Sequence, residues 1–433
     1  QNDSTNVMNT LAPLDLVSLL TVLLGMVILA VISRLYNQSW LEPGSFFLVV
    51  WFGFIVLPLI VAPENPIYPF SIWYIFSFAV AILLGSAVWN KVDPATRLGK
   101  ALTMGVPLDR YANILFNFTL VFTAISIAGV GVLIFSGMSR YNLTFDLFSL
   151  SSLPNLFYVD RDTGIFTLSW SVKGLMYLVY TAALLGGITY RLLQEWKRYF
   201  CLLPLLIALF YGLTLAVRSG IMLSIILWFS GWCGAKVYMK DQTFKIKTVG
   251  LAVVSLIFFV FIFISVNWLR SGADDPFLIM ALLDNARITY FGHLTAFSTW
   301  INGYQYKSLA FGANTFSGPL DLFGVIDRKI GFYEENIYLS GRGYTNIFTF
   351  FRGLVEDFSI PGTLLAGFVI GLLARLVYNR CCYGQCLWLL PLTLFYAFIL
   401  YSPIISIFNY NSVIMAWVIT SIPLVLIHKR LLL

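Results

Sequence analysis

Residues 344–376 read YTNIFTFFRGLVEDFSIPGTLLAGFVIGLLARL, and the change of character within them decides the fold. Up to Asp357 the stretch mixes Tyr, Thr, Asn, Phe and Gly with Arg352, Glu356 and Asp357. Beyond it no charge occurs until Arg375, so a run at about 358–376 reaches the ~20 residues that cross a bilayer. Pro361 sits where a helix tolerates it, near the start. On the N-terminal side of this junction, 268–357 is the one long stretch of the chain without a hydrophobic run of spanning length. Eight such runs precede it and three follow. It is rich in Gly, Asn, Phe and Tyr as well as charge, so it reads as folded surface held between membrane helices.

The composition agrees. Of 433 residues, 59% are apolar and 11% charged, with a mean hydropathy of +0.84. Soluble domains carry about 25% charged residues. The spacing predicts an all-α polytopic integral membrane protein with about eleven spans. An N-terminal membrane domain of eight helices occupies 1–267, an external loop with short amphipathic helices 268–357, and three C-terminal helices 358–433. A net charge of +7 does not point to nucleic acid here, because the loops account for it. One alternating set takes Arg34, 90–111, 191–198, 236–247, 375–380 and the C-terminus. With Glu42 included it holds sixteen Lys and Arg against five acids, leaving eleven and fifteen for the other set. By the positive-inside rule the first set is cytoplasmic. The N-terminus and 268–357 are then expected outside and the C-terminus inside. All five cysteines lie away from 268–357, so no disulfide staples that loop, and reduced thiols are expected. No glycine-rich phosphate loop, HExxH pattern or metal-spaced acidic pair occurs, and neither a metal nor a cofactor is expected.

Three places offer chemistry. Arg218 lies between two apolar runs, 199–216 and 221–239, with almost no loop. An arginine at this depth is costly unless water, phosphate or a carboxylate meets it. It reads either as a fork on a lipid phosphate, assisted by the helix start after Gly220, or as an interfacial side chain reaching the headgroups. The second place is 277–302, where Leu282, Ala286, Thr289, His293, Ala296 and Trp300 recur at helical spacing. Asp284 and Arg287, three apart, are spaced to pair. His293 reads either as a base toward a sugar hydroxyl or as a packed, hydrogen-bonded core residue. The third is 341–357, with Arg342, Tyr344, Asn346, Arg352, Glu356 and Asp357. Its hydroxyls, amides and rings suit a sugar, and Glu356 or Asp357 is placed to accept a proton at the outer surface. Arg352 and Glu356, four apart, are also spaced to neutralise each other.

At these residues the chain resembles the bacterial O-antigen and capsule repeat-unit polymerases of the Wzy type. The resemblance rests on the many spans, the large loop before the last ones, Ala216-Val217-Arg218-Ser219-Gly220, and Tyr344 through Arg352 with Glu356-Asp357-Phe358. It implies an enzyme of the inner membrane with its large loop in the periplasm. Such an enzyme moves a growing glycan from undecaprenyl diphosphate onto the non-reducing end of an incoming lipid-linked unit, without nucleotide sugar or metal. Its partners would be undecaprenyl-diphosphate-linked glycans and membrane lipids, with room for a chain-length regulator and no role for nucleic acid. External arginines carry over onto Arg218, Arg287, Arg342 and Arg352. Arg270, at the start of the loop, joins them as a diphosphate contact. The external histidine of the similar O-antigen ligases suggests His293. Ligase-like transfer and lipid-linked glycan transport are the alternatives. Transport would favour charge along a central cavity and repeated half-folds, and no such repeat is visible.

Overall fold

The computed structural model describes residues 16–89, 108–164, 170–194, 196–240, 261–262, 264–269, 278–305, 308–326, 333, 335–339 and 343–432. Within these the chain is largely helical. In order come α1 (Leu16–Asn37), α2 (Pro43–Val61), α3 (Pro69–Ala87), α4 (Leu108–Arg140), α5 (Leu147–Asp162), α6 (Trp170–Leu192), α7 (Lys197–Phe200), α8 (Leu203–Thr214) and α9 (Arg218–Tyr238). The loop region then supplies α10 (Leu278–Phe291), α11 (His293–Asn302) and α12 (Ser317–Leu322). A small antiparallel hairpin follows, β1 (Ile337–Leu339) with β2 (Gly343–Thr345), and then α13 (Thr349–Cys382), α14 (Leu389–Tyr401) and α15 (Asn411–Leu432).

Nine helical segments among the described residues are long and apolar enough to cross a membrane. Of the eleven expected runs, the one at 248–267 falls mostly outside the described residues, and the one at 386–401 is a shorter apolar helix. The loop region also holds one short hairpin. Ile337 pairs with Thr345 and Tyr338 with Tyr344, where glycine at 343 (φ +157°) and alternating burial favour strands over a helix turn.

Local chemistry sets the helix boundaries. Pro43 and Pro69 open α2 and α3 at positions where a missing N–H costs nothing. Glu42 caps α2 by accepting from the Ser45 amide at 2.9 Å. α13 is two helices in line. Ser359 breaks it with φ 67° and ψ 173°, two residues before Pro361. The Thr363 hydroxyl donates to the Ser359 carbonyl freed at the break (2.8 Å). The break falls where the polar stretch gives way to the apolar run.

Two glycine-mediated crossings hold the bundle. A Cβ at Gly85 would lie 1.9 Å from the Phe368 carbonyl oxygen, and one at Gly371 would lie 2.1 Å from that of Ile82. α3 and α13 therefore meet backbone to backbone. α6 and α9 do the same through Gly187 against Trp228 and Gly231 against Leu184. In lipid, such close approach supplies the packing that a hydrophobic effect between helices does not.

The loop is seated on the bundle by rings. Phe351 lies 5.0 Å from both Trp51 and Phe78 and 5.4 Å from Phe297 of α11, and all four are fully buried. Contacts also sort the connections to two ends. At one end the Tyr68 amide donates to Ser298 (2.7 Å), the Phe350 amide to the Ser402 carbonyl (2.8 Å), and Arg161 to the turn before α9. At the other, Glu42 meets Arg375 at 3.5 Å, both buried, and Cys386 meets His428 at 3.9 Å. The five cysteines are unbridged and buried.

Candidate functional site

Arg218 is the first residue of α9, and the turn before it is built to place it there. α8 ends in a Schellman turn. The Val217 amide donates to the Gly212 carbonyl (2.8 Å) and the Ala216 amide to that of Leu213 (3.1 Å). Ala216 takes the left-handed conformation (φ 49°) that glycine usually fills. The strain is offset from α5: Arg161 donates to the Leu215 carbonyl at 3.0 Å and to that of Ala216 at 3.4 Å. A cation at a helix C-terminus is favoured by the dipole as well as by the hydrogen bonds. The same guanidinium lies 5.7 Å from the Tyr158 ring. Tyr158, Tyr290 and Arg161 all fall within electrostatic reach of Arg218. Two arginines and two phenols thus gather at the start of a spanning helix, whose first N–H groups favour an anion. A cavity of about 40 Å³ beside it, lined by Tyr180, Tyr211, Gly220 and Ser224 among others, has room for a few water molecules and not for a sugar.

The other expected residues are held differently. Arg287 is committed to the end of α2: its Nε and Nη2 donate to the Val61 carbonyl (3.0 and 2.7 Å), and Nη2 also reaches Glu64 at 2.9 Å. Asp284, the partner expected from spacing, lies 3.5 Å away. Arg352 is buried in a cage. Its guanidinium carbon lies 3.8 Å from the Tyr333 ring, 4.3 Å from Phe348 and 5.1 Å from Trp300. Its Nε donates to Glu356 (3.0 Å) and its Nη2 to Glu335 (2.9 Å). Asp357 is fully buried and accepts from the amides of Asn314 (3.0 Å) and Thr315 (2.7 Å). It anchors a loop, so its carboxylate faces no solvent. Glu356 is the more open of the two acids, with its side chain 23% exposed. Tyr344 is exposed, with its ring 4.9 Å from Tyr338 across the hairpin. The Asn346 amide donates to the Tyr333 carbonyl at 3.4 Å. Arg270 and Arg342 lie outside the described residues.

His293 is packed and hydrogen-bonded. It is buried at the start of α11, with Nδ1 3.0 Å from the Tyr290 carbonyl and Nε2 3.2 Å from that of Phe54. Both nitrogens face carbonyl oxygens, so neither is turned to a substrate. Burial pushes its pKa down to about 4, against the smaller opposing effect of the two carbonyls. This has a consequence for stability. The unfolded imidazole binds a proton near pH 6.5 and the folded one resists it. The stabilisation from a neutral His293 is therefore complete above about pH 6.5 and is lost as pH falls toward 4, by roughly 3 kcal/mol. The melting-temperature gap between wild type and His293→Gln in detergent is expected to narrow as pH drops from 7.5 to about 4.5. A gap that stays constant over that range would contradict the assignment.

The sequence does not mark Arg161, Tyr158 and Tyr290 as a group. The i,i+3 spacing of Tyr158 and Arg161 on one helix face was a usable signal. Their meeting with Tyr290 and Arg218 was not visible along the chain. Among the described residues no group of three His, Cys, Asp or Glu side chains is arranged to hold a metal ion. No protein-family model, curated protein or solved structure matches the chain.

Proposed function

We propose that this protein is a membrane glycosyltransferase that joins lipid-linked oligosaccharide repeat units. It transfers a growing glycan from undecaprenyl diphosphate to the non-reducing end of an incoming lipid-linked unit. The observation that carries the reading is Arg218 at the head of a spanning helix, gathered with Arg161, Tyr158 and Tyr290 at the bundle end that bears the folded loop. A guanidinium there is suited to the diphosphate that gains charge as the anomeric bond breaks. The lipid diphosphate is already an activated leaving group, so no nucleotide is consumed. The acceptor hydroxyl loses its proton to a carboxylate, its oxygen attacks the anomeric carbon, and undecaprenyl diphosphate departs. Of the three bases that the sequence offers, Glu356 is assigned this part, because His293 and Asp357 are enclosed. Arg352 orients Glu356 through the 3.0 Å contact. The reading puts the protein in the bacterial inner membrane, with this end in the periplasm.

Transport of a lipid-linked glycan is the second reading. The buried Glu42–Arg375 pair at the opposite end favours it, since ionisable groups within a bundle often mark a pathway. One experiment separates the two. Purified protein in vesicles, given undecaprenyl-diphosphate-linked repeat units as the only substrate, is expected to yield a ladder of longer glycans and free undecaprenyl diphosphate. Movement of the unchanged units across the bilayer, with no ladder, would reject the enzyme in favour of the transporter.

A further inference from the structure

The segment 311–325 carries an apolar surface that the site does not use. Phe311, Phe323 and Val325 are 80%, 83% and 65% exposed. Leu322 and Phe316 are partly exposed as well. Scattered apolar side chains on a surface are ordinary, but a contiguous group marks an interaction face. The segment is almost free of charge, and its one acid, Asp321, accepts from the Asn411 side chain at 2.6 Å.

Its position identifies what covers it. α12 rests on the first turn of the spanning helix α15. A Cβ at Gly318 would meet the Phe408 carbonyl at 2.4 Å, Asn411 at 2.8 Å and Ile414 at 3.1 Å. From Ile414 onward, Val418, Ile422 and Leu426 follow at four-residue spacing, and these three are exposed. Residues so spaced share one face of a helix, and on a spanning helix an exposed apolar face meets lipid tails. α12 therefore lies across the top of a lipid-facing stripe. The exposed residues at its end, Leu322, Phe323 and Val325, continue that stripe at the level where the bilayer ends.

We propose that 316–325 is an interfacial wedge: Leu322, Phe323 and Val325 insert into the headgroup and upper acyl region of the surrounding leaflet. The occupant of this face is the lipid surface. With no basic residue in the wedge, burial of apolar surface drives insertion, and anionic lipid is not required. The segment is rigidly mounted for this. Asp357 holds the amides of Asn314 and Thr315, and the Ala310 and Phe311 amides donate to the carbonyls of Glu356 and Asp357 (3.1 and 3.2 Å). The wedge thus ties the depth of the loop to the head of α13. The proposal stands on the membrane-spanning fold and not on the glycosyltransferase reading.

The test uses the full chain in vesicles of phosphatidylethanolamine and phosphatidylglycerol. Single cysteines are introduced as Phe323→Cys, Val325→Cys and, on the hairpin, Tyr338→Cys, and labelled with an environment-sensitive fluorophore. All three replace exposed side chains, so folding is spared. Lipids carrying a doxyl group high on the acyl chain are expected to quench the probes at 323 and 325 several-fold more than the probe at 338. Aqueous iodide is expected to do the reverse, and removing phosphatidylglycerol should change neither result. Equal quenching at the three positions would overturn the proposal. So would an emission that follows the protein-to-lipid ratio, which would make a second copy of the chain the occupant.

Discussion

Under the proposed function, Arg218→Ala is expected to lower the rate of glycan joining by ~100- to 1,000-fold, the size of effect seen when one donor to a developing anion is removed. Membrane insertion and yield should stay near normal. Arg218 begins α9 after a turn in which the Val217 and Ala216 amides and the Arg161 guanidinium donate to backbone carbonyls. Removing a guanidinium from the edge of a bilayer also removes a costly group. Arg218→Lys should recover little, because an ammonium lacks the planar fork that matches two phosphate oxygens. The measurement is the initial rate with saturating lipid-linked units, alongside the amount of protein in the membrane fraction. A fully active alanine variant would leave Arg218 as an interfacial side chain that reaches the headgroups and takes no part in the reaction.

Gly85→Val is expected to be among the most damaging single changes outside the site. Its first added carbon would fall 1.9 Å from the Phe368 carbonyl oxygen, and the next nearest atoms are also backbone. No side chain can swing aside, so α3 and α13 must separate. Overpacking of this kind costs about 3 kcal/mol or more where backbone has to move. Gly371→Leu, which faces the Ile82 carbonyl from the opposite helix, should behave alike. Gly53→Ala serves as control, since nothing lies within 4 Å of the added carbon. It should be neutral or slightly stabilising, as alanine favours a helix over glycine by about 1 kcal/mol. The readout is the temperature at which the monodisperse peak is lost on size-exclusion chromatography in detergent. If Gly85→Val melts with the Gly53→Ala control, the backbone contact between α3 and α13 does not hold the bundle.

The membrane class, most of the spans and the boundary near residue 358 were legible from the chain alone. Spanning length and hydropathy are properties of consecutive residues, and lipid imposes them segment by segment. Asp284 beside Arg287 and Glu356 beside Arg352 were legible for a related reason, since a helix fixes what lies three or four positions away. What the tertiary structure decided is which charges were already spent. Arg287 is taken by Val61 and Glu64, more than 220 residues earlier. Asp357 is taken by amides 42 and 43 residues earlier, and one nitrogen of His293 by Phe54, 239 residues away. A side chain's protonation and reach depend on every group packed against it, and such partners follow from how helices cross. Those crossings turn on single glycines, at 85 and 371 and at 187 and 231, whose role appears only when the facing carbonyl is known. The gathering of Arg161, Tyr158 and Tyr290 about Arg218 is of the same kind: three separate segments meet there because the bundle closes, and hydropathy along the chain has no term for it.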